Sequence, residues 1–134
     1  MSRGLGDVYK RQLENNTEVM LPFLEAVATG GIMAALTQQG RPLDMKEIER
    51  AIIKIRPLLR ESARQGTLAS CLFQTRELTD TELEQWVEFL RSDAGGRYAR
   101  GVNAAMRDAL LARAEIFTRV MLEMARQLKG RAES

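Results

Sequence analysis

The chain has 134 residues, a formal net charge of +2, 45% hydrophobic residues and 28% charged residues, which is ordinary for a globular protein. It contains no histidine, which excludes catalysis by an imidazole base and removes the commonest zinc ligand. The single cysteine, Cys71, cannot form a disulfide within the chain and is expected to be a small buried apolar residue. These features favour a protein that is not an enzyme and that uses no metal or cofactor.

The first twelve residues differ in character from the rest of the chain. Residues 2–12, SRGLGDVYKRQ, have no apolar period and resemble a translated sequencing-library adaptor along their whole length. We therefore expect residues 1–12 to be a disordered artefact and residues 13–134 to be one helical domain, from a metagenomic fragment without its natural N-terminus. A signal peptide is then not observable. Outside residues 1–12 the chain has 17 basic and 17 acidic residues, so the excess of positive charge lies in the adaptor-like segment.

The pattern of the other residues predicts four helices and no strand. The first helix runs from about Thr17 to Gln38, and Gly40 provides its C-terminal cap. Its longest nearly uncharged run, residues 21–36, is too short to span a bilayer, so no transmembrane segment is expected. Asp44 begins the second helix as its N-cap, with Glu47 three residues later. Apolar residues then recur at helical spacing and predict one inward face: Ile48, Ile52, Ile55, Leu59 and Ala63.

The third and fourth helices form the second half of the chain. Thr79 is the expected N-cap of the third helix, and Glu82 is its reciprocal partner in a capping box. The fourth helix, from about Ala94 to Lys129, is amphipathic over ~50 Å. One arc of it, called here the apolar stripe, consists of Tyr98, Val102, Met106, Ala109, Ile116, Phe117, Val120 and Met124. The sequence thus predicts an all-α fold, a bent bundle of about four helices with a long amphipathic C-terminal helix.

The stretch FQTRELTDTELEQWVEFLRSDAGGRYARGVNAAMRDAL resembles the core of a bacterial domain family of unknown function, the one numbered 2059. The likeness rests on Leu78, Thr79, Glu82, Leu83, Phe89, Leu90, Ser92 and Gly95, while Asp93 stands where the family often has proline. The resemblance implies an all-helical fold and frequent export, and therefore a place in the periplasm or cell envelope of a Gram-negative bacterium. The family offers no catalytic residues to carry over.

An acidic cluster at the start of the third helix resembles a calcium-binding loop in its first residues only. Asp80, Glu82 and Glu84 have the alternating spacing of such a loop. Gln85 and Arg91 then occupy the positions at which the loop needs glycine and glutamate. The cluster is therefore interpreted as a helix start with a solvated face, and no metal site is expected.

The fourth helix also carries the residues most suited to an anionic ligand. Between residues 97 and 131 the chain has eight basic and three acidic residues, and no aromatic side chain shares the arginine-rich arc for base stacking. Arg113 differs from these arginines because it falls within the apolar stripe. It is predicted either to pair with a carboxylate from another helix or to bind an anion in a cleft between helices. Leu111 and Leu122 form a second, thinner apolar line on the polar arc.

The leading interpretation is a non-catalytic, envelope-associated helical module that acts through contacts with a protein partner or with itself. The alternative is a carrier of a small anionic ligand or a lipid, with a cavity between helices near Arg113. A weaker alternative is a nucleic-acid binder that uses surface charge. The candidate contact residues are Arg113, Arg97, Arg100, Arg107, Leu111 and Leu122.

Overall fold

A computed structural model describes the backbone of residues 3–134 and the side chains of residue 6 and residues 9–134. It contains four helices: α1 (Arg3–Gln38), α2 (Met45–Thr75), α3 (Asp80–Arg91) and α4 (Asp93–Ala132). No strand occurs in this described part of the chain. The predicted all-α fold with a long C-terminal helix is confirmed.

The helix ends that the sequence predicts are formed by local hydrogen bonds. Gly40 has a φ of 69°, a left-handed conformation that glycine adopts without steric cost, and it ends α1. An Asp44 carboxylate oxygen accepts a hydrogen bond from the Lys46 backbone N–H at 3.0 Å. At α3 the Glu82 N–H donates to the Thr79 hydroxyl at 3.3 Å, and the Thr79 N–H donates to the Glu82 carboxylate at 2.8 Å. Both partners of the expected capping box are therefore present.

The predicted inward face of α2 is also confirmed. Ile48, Ile52 and Ala63 are buried, and Ile55 and Leu59 are half-buried. Ile48 and Ile52 form a cluster with Leu36 near the end of α1. This cluster is the larger of two small apolar clusters among the described residues.

Helix α1 lies between α2 and α4. Its Glu25 pairs with Arg56 of α2 at 2.6 Å and its Glu18 pairs with Arg60 at 2.8 Å, so α1 and α2 run antiparallel. On the other side Gly30 lies against Thr118 of α4. Both α2 and α4 pack on α1, but no comparable packing joins α2 to α4 among the described residues. The three long helices therefore form a single layer, and α3 packs on α4 and on α1.

The face that α4 turns toward α1 includes small buried residues. These are Ala114, which is only 1% exposed, and Ala125, whereas the buried Gly95 lies against Phe89 at the end of α3. On α1, Gly30 lies against Thr118 of α4 and is also buried. Short side chains on both helices permit a close approach of the two backbones, because the side chains at the contact set the distance between helix axes.

Residues 3–12 lie in helix α1 in this structure, whereas the sequence led us to expect them to be disordered. Tyr9 packs against Val87 of α3, together with Leu83 and Leu90. The physical reason is spacing: Tyr9 stands eight residues before the buried Thr17, so it continues the same side of the helix. The division of the chain into an adaptor-derived segment and a domain stays a prediction.

One segment of α1, Tyr9–Gln38, is long and apolar enough to cross a membrane by length and composition, with a mean hydropathy of 1.8. This segment is longer than the run at residues 21–36 on which the expectation of no membrane span rested. A core helix of a globular protein satisfies the same two criteria, and α1 packs against three other helices here. Only part of the segment is buried, however, since 22% of its most apolar stretch lies inside the structure.

Candidate interaction surface

The apolar stripe of α4 lies on the surface of the molecule. All eight of its residues are exposed, and the exposed fraction of its seven large side chains runs from 38% for Phe117 to 58% for Ile116. The stripe extends for ~40 Å along the helix, from Tyr98 to Met124, at the rise of an α-helix. A contiguous apolar surface of this length is typical of a contact site in soluble proteins.

The stripe is exposed because the small residues of α4 occupy the contact with α1. Ala114 and Ala125 point at α1, and on a helix a residue such as Val120 then lies more than a quarter turn away from them. Leu128 continues the stripe beyond Met124 and is also exposed. Near the start of the stripe Tyr98 contacts Phe89 of α3, with ring centroids 5.9 Å apart.

Arg113 is exposed within the stripe and forms no ion pair among the described residues. The interpretation that it pairs with a carboxylate from another helix therefore finds no such carboxylate in this structure. Arg113 does not line the cleft between α1 and α4 or either of two clefts between α1 and α2, and the ligand cavity expected near it stays a prediction. Its long aliphatic stem can lie along apolar neighbours while the guanidinium stays in water.

The other candidate residues line no common cleft with Arg113. Arg97, Arg100 and Arg107 are exposed and lie on one side of α4, because Arg97 and Arg100 are three residues apart and Arg107 follows Arg100 by seven. Leu111 lines a shallow cleft of about 440 Å³ between α1 and α4, and Leu122 is half-buried. Leu111 therefore adjoins the contact with α1, and the role of the thinner apolar line that these two leucines form stays a prediction.

A second apolar feature is a groove between α1 and α2, which sequence reasoning did not predict. This groove has a volume of about 330 Å³ and is called here the α1–α2 groove. Its apolar lining includes Val19, Met20 and Leu24 of α1, Ala63 and Cys71 of α2, and Met106 of the stripe. Met106 therefore joins the groove to the apolar stripe, and the two form one continuous surface.

Among the described residues, two side chains, Cys71 and Glu82, have a pKa displaced from its ordinary value. Partial burial raises the pKa of the Cys71 thiol above its ordinary value, so the thiol stays protonated and unreactive at neutral pH. Hydrogen bonds from the backbone and then the hydroxyl of Thr79 lower the pKa of Glu82. Glu82 is part of a helix cap, and the hydrogen bonds of that cap account for its lowered pKa. The shift is therefore no indication of an active site.

The acidic residues at the start of α3 do not gather into a metal site. Within the described residues no group of three or more histidine, cysteine, aspartate or glutamate side chains could hold a metal ion. Glu82 is instead engaged with Thr79, and the neighbouring carboxylates are exposed.

Comparisons with protein-family models, with curated proteins and with solved structures found no match to this chain. The resemblance to the bacterial family numbered 2059 stays a prediction. The site is therefore defined by its own geometry: an apolar stripe, an adjoining apolar groove and one exposed arginine. The sequence indicated the stripe through its helical period, whereas the groove is formed by residues of α1, α2 and α4 that are distant in sequence and leaves no periodic signal.

Proposed function

We propose that this chain is a non-catalytic helical module that acts through protein–protein contacts made by the apolar stripe of α4. The observation that carries the proposal is the exposure of all seven large side chains of the stripe. Leaving that much apolar surface in water opposes solubility, and soluble proteins keep such surfaces mainly where a partner covers them. Association with the bacterial envelope belongs to the same proposal and is supported by the family resemblance alone.

The distribution of charge favours protein contact over nucleic acid as the basis of binding. Several exposed arginines line α4, among them Arg97, Arg100 and Arg107 on one side of the helix, and Arg119 already pairs with Glu115 at 3.6 Å. The aromatic side chains Tyr98 and Phe117 belong to the stripe rather than to an arginine-rich arc. Single-stranded nucleic acid is bound by stacking aromatics interleaved with positive charge, and that arrangement does not occur among the described residues of α4.

A second candidate function, the carriage of a small ligand, is favoured by the α1–α2 groove alone. A volume of about 330 Å³ lies at the lower end of the range for small-molecule sites. No charged side chain lines the groove, and Arg113 is not among its residues. A ligand there would therefore lay an apolar part against side chains such as Val19 and Met20, and uncharged polar side chains such as Gln74 would be its hydrogen-bond partners.

The test compares association at two ionic strengths. We expect the chain to self-associate or bind a protein partner equally well at low and at high salt, because apolar contacts do not depend on counterion release. Light scattering at both salt concentrations gives the mass. Parallel titrations with mixed-sequence DNA and with anionic phospholipid vesicles measure binding through the arginines.

The outcomes separate the three functions. Association that persists at high salt, with negligible binding to DNA or vesicles, supports the interaction module. A chain that binds DNA or vesicles only at low salt contradicts it and favours binding by surface charge. A monomer whose melting temperature rises on addition of a long-chain alcohol supports the carrier instead.

A further inference from the structure

Residues 19–34 of helix α1 include one charged residue, Glu25, and most of them are only half-buried although α1 lies between α2 and α4. The ion pairs with α2 and the small-residue contact with α4 occupy opposite sides of α1. Between them Met20 and Leu24 line the open α1–α2 groove. A helix that is hydrophobic all round is normally buried completely, in a core or in a membrane. The single layer therefore lacks the second layer that a protein domain requires.

The accessible surface area of the chain shows how much surface a second layer would have to cover. The chain exposes 9681 Å², whereas a compact monomer of 15.1 kDa exposes about 7,100 Å² by the relation between area and mass. The excess is about 2,600 Å². Stable obligate dimers bury roughly 1,000–2,500 Å² on each partner. One dimer interface is therefore large enough to account for nearly all of the excess.

Charge argues against a membrane as the cover. Glu25 and Glu18 lie on α1 within its apolar segment, and both are paired with arginines of α2 that are about half exposed. Arg113 lies within the stripe itself. Charged side chains of this kind are strongly disfavoured in the hydrocarbon of a membrane. A protein surface avoids this cost, because long charged side chains at its edge reach water.

We propose that the layer formed by α1, α2 and α4 is one half of a two-fold symmetric dimer, in which the apolar stripe and the α1–α2 groove of one copy cover those of a second copy. This inference rests on the proposed function and names its partner. A two-fold interface brings the same patch of each copy together, so one apolar surface per chain is sufficient to complete the fold. The net charge of +2 per chain opposes this association only weakly. The dimer has two layers and encloses α1 between them.

The test is sedimentation equilibrium of the full chain over a range of concentrations at high salt. The wild type is expected to sediment as a dimer, with twice the chain mass of 15.1 kDa. Val120→Glu and Met106→Glu are each expected to weaken the dimer by at least about tenfold, because two-fold symmetry buries two unpaired carboxylates per dimer. Both residues are exposed in the single chain, so the fold of the monomer survives, and circular dichroism verifies this.

The matched control is Leu58→Glu on α2. Leu58 is 73% exposed and lines none of the clefts, so this variant adds the same charge outside the proposed surface and should remain dimeric. A wild type that stays monomeric at every concentration overturns the dimer. If that monomer binds neither DNA nor vesicles, the proposed contact function survives with a different protein partner; if it binds vesicles, both proposals fail. A dimer that tolerates Val120→Glu and Met106→Glu as well as Leu58→Glu also overturns the proposal, because its interface lies elsewhere.

Discussion

The replacement Ile48→Ala tests the small core that holds α2 on α1. Ile48 is the most completely buried large side chain among the described residues, at 1% exposure, and it packs with Leu36 and Ile52. Alanine removes three carbon atoms, which lose about 2.4 kcal/mol of transfer free energy at roughly 0.8 kcal/mol for each buried methylene. The cavity that remains adds a further term.

The surroundings of Ile48 limit how much the cavity adds to the loss of stability. Ile48 and Ile52 also line a cleft of about 430 Å³ that is open to solvent, so neighbouring side chains can relax into the space. We therefore expect a loss of about 3 kcal/mol in the free energy of unfolding, within the range of 2–5 kcal/mol typical of isoleucine to alanine in a core. For a chain of this length the melting temperature should fall by about 10 °C.

Denaturant unfolding followed by circular dichroism measures this loss. The control is Leu58→Ala, which removes the same number of carbon atoms from the same helix at a side chain that is 73% exposed. We expect that variant to lose less than about 1 kcal/mol. Equal losses for the two variants, or a loss below about 1 kcal/mol for Ile48→Ala, would refute the placement of α2 on α1.

Three further predictions concern other parts of the chain. Thr79→Ala should lower the free energy of unfolding by about 1 kcal/mol through loss of the α3 cap. Part of that cost should disappear as pH falls through the lowered folded-state pKa of Glu82, because the bond that the Thr79 hydroxyl donates to the ionised carboxylate is lost, whereas alanine keeps the backbone N–H that donates to the same carboxylate. Gly95→Ala should cost about 1–3 kcal/mol, because a methyl group there meets the backbone carbonyl of Phe89. Alkylation of Cys71 should be slow at pH 8 and should accelerate above pH 9, because burial raises the pKa of the thiol.

Each of these has a matched control. Thr81→Ala lies two residues into the same region and makes no cap contact, so unfolding should change by less than about 0.5 kcal/mol. Gly101→Ala has open space around the added methyl group and should stabilise α4 by about 0.5–1 kcal/mol. Cys71 in the urea-unfolded chain should react faster at pH 8 than in the folded chain. The reasoning is contradicted where a variant and its control behave alike.

The helices and their caps could be predicted from the sequence because they depend on residues close together in the chain. The Thr79 and Glu82 pair is set by a spacing of three residues, and the inward face of α2 by a period of 3.6. The buried face of α4 could not be predicted in this way. Ala114 and Ala125 carry little hydrophobic signal, and their burial depends on matching small residues of α1 that are distant in sequence.

The candidate site was predicted in part. The helical spacing of apolar residues predicted the apolar stripe. That spacing does not show whether the face is covered by the same chain or by another. The exposure of Phe117 and Val120 comes only from the packing of the helices. The start of α1 was missed because its adaptor-like residues, with Gly4 and Gly6, have a low intrinsic preference for helix.

The central claim is that the apolar stripe is a contact surface, and hydroxyl-radical footprinting at increasing protein concentration tests it most directly. In dilute solution Phe117 and Met124 should be oxidised at rates set by their exposure in the single chain. At concentrations where the chain associates, both side chains should become protected at least about fivefold, while Leu58 keeps its rate. Oxidation of Phe117 and Met124 that stays unchanged from dilute to concentrated protein would contradict the claim.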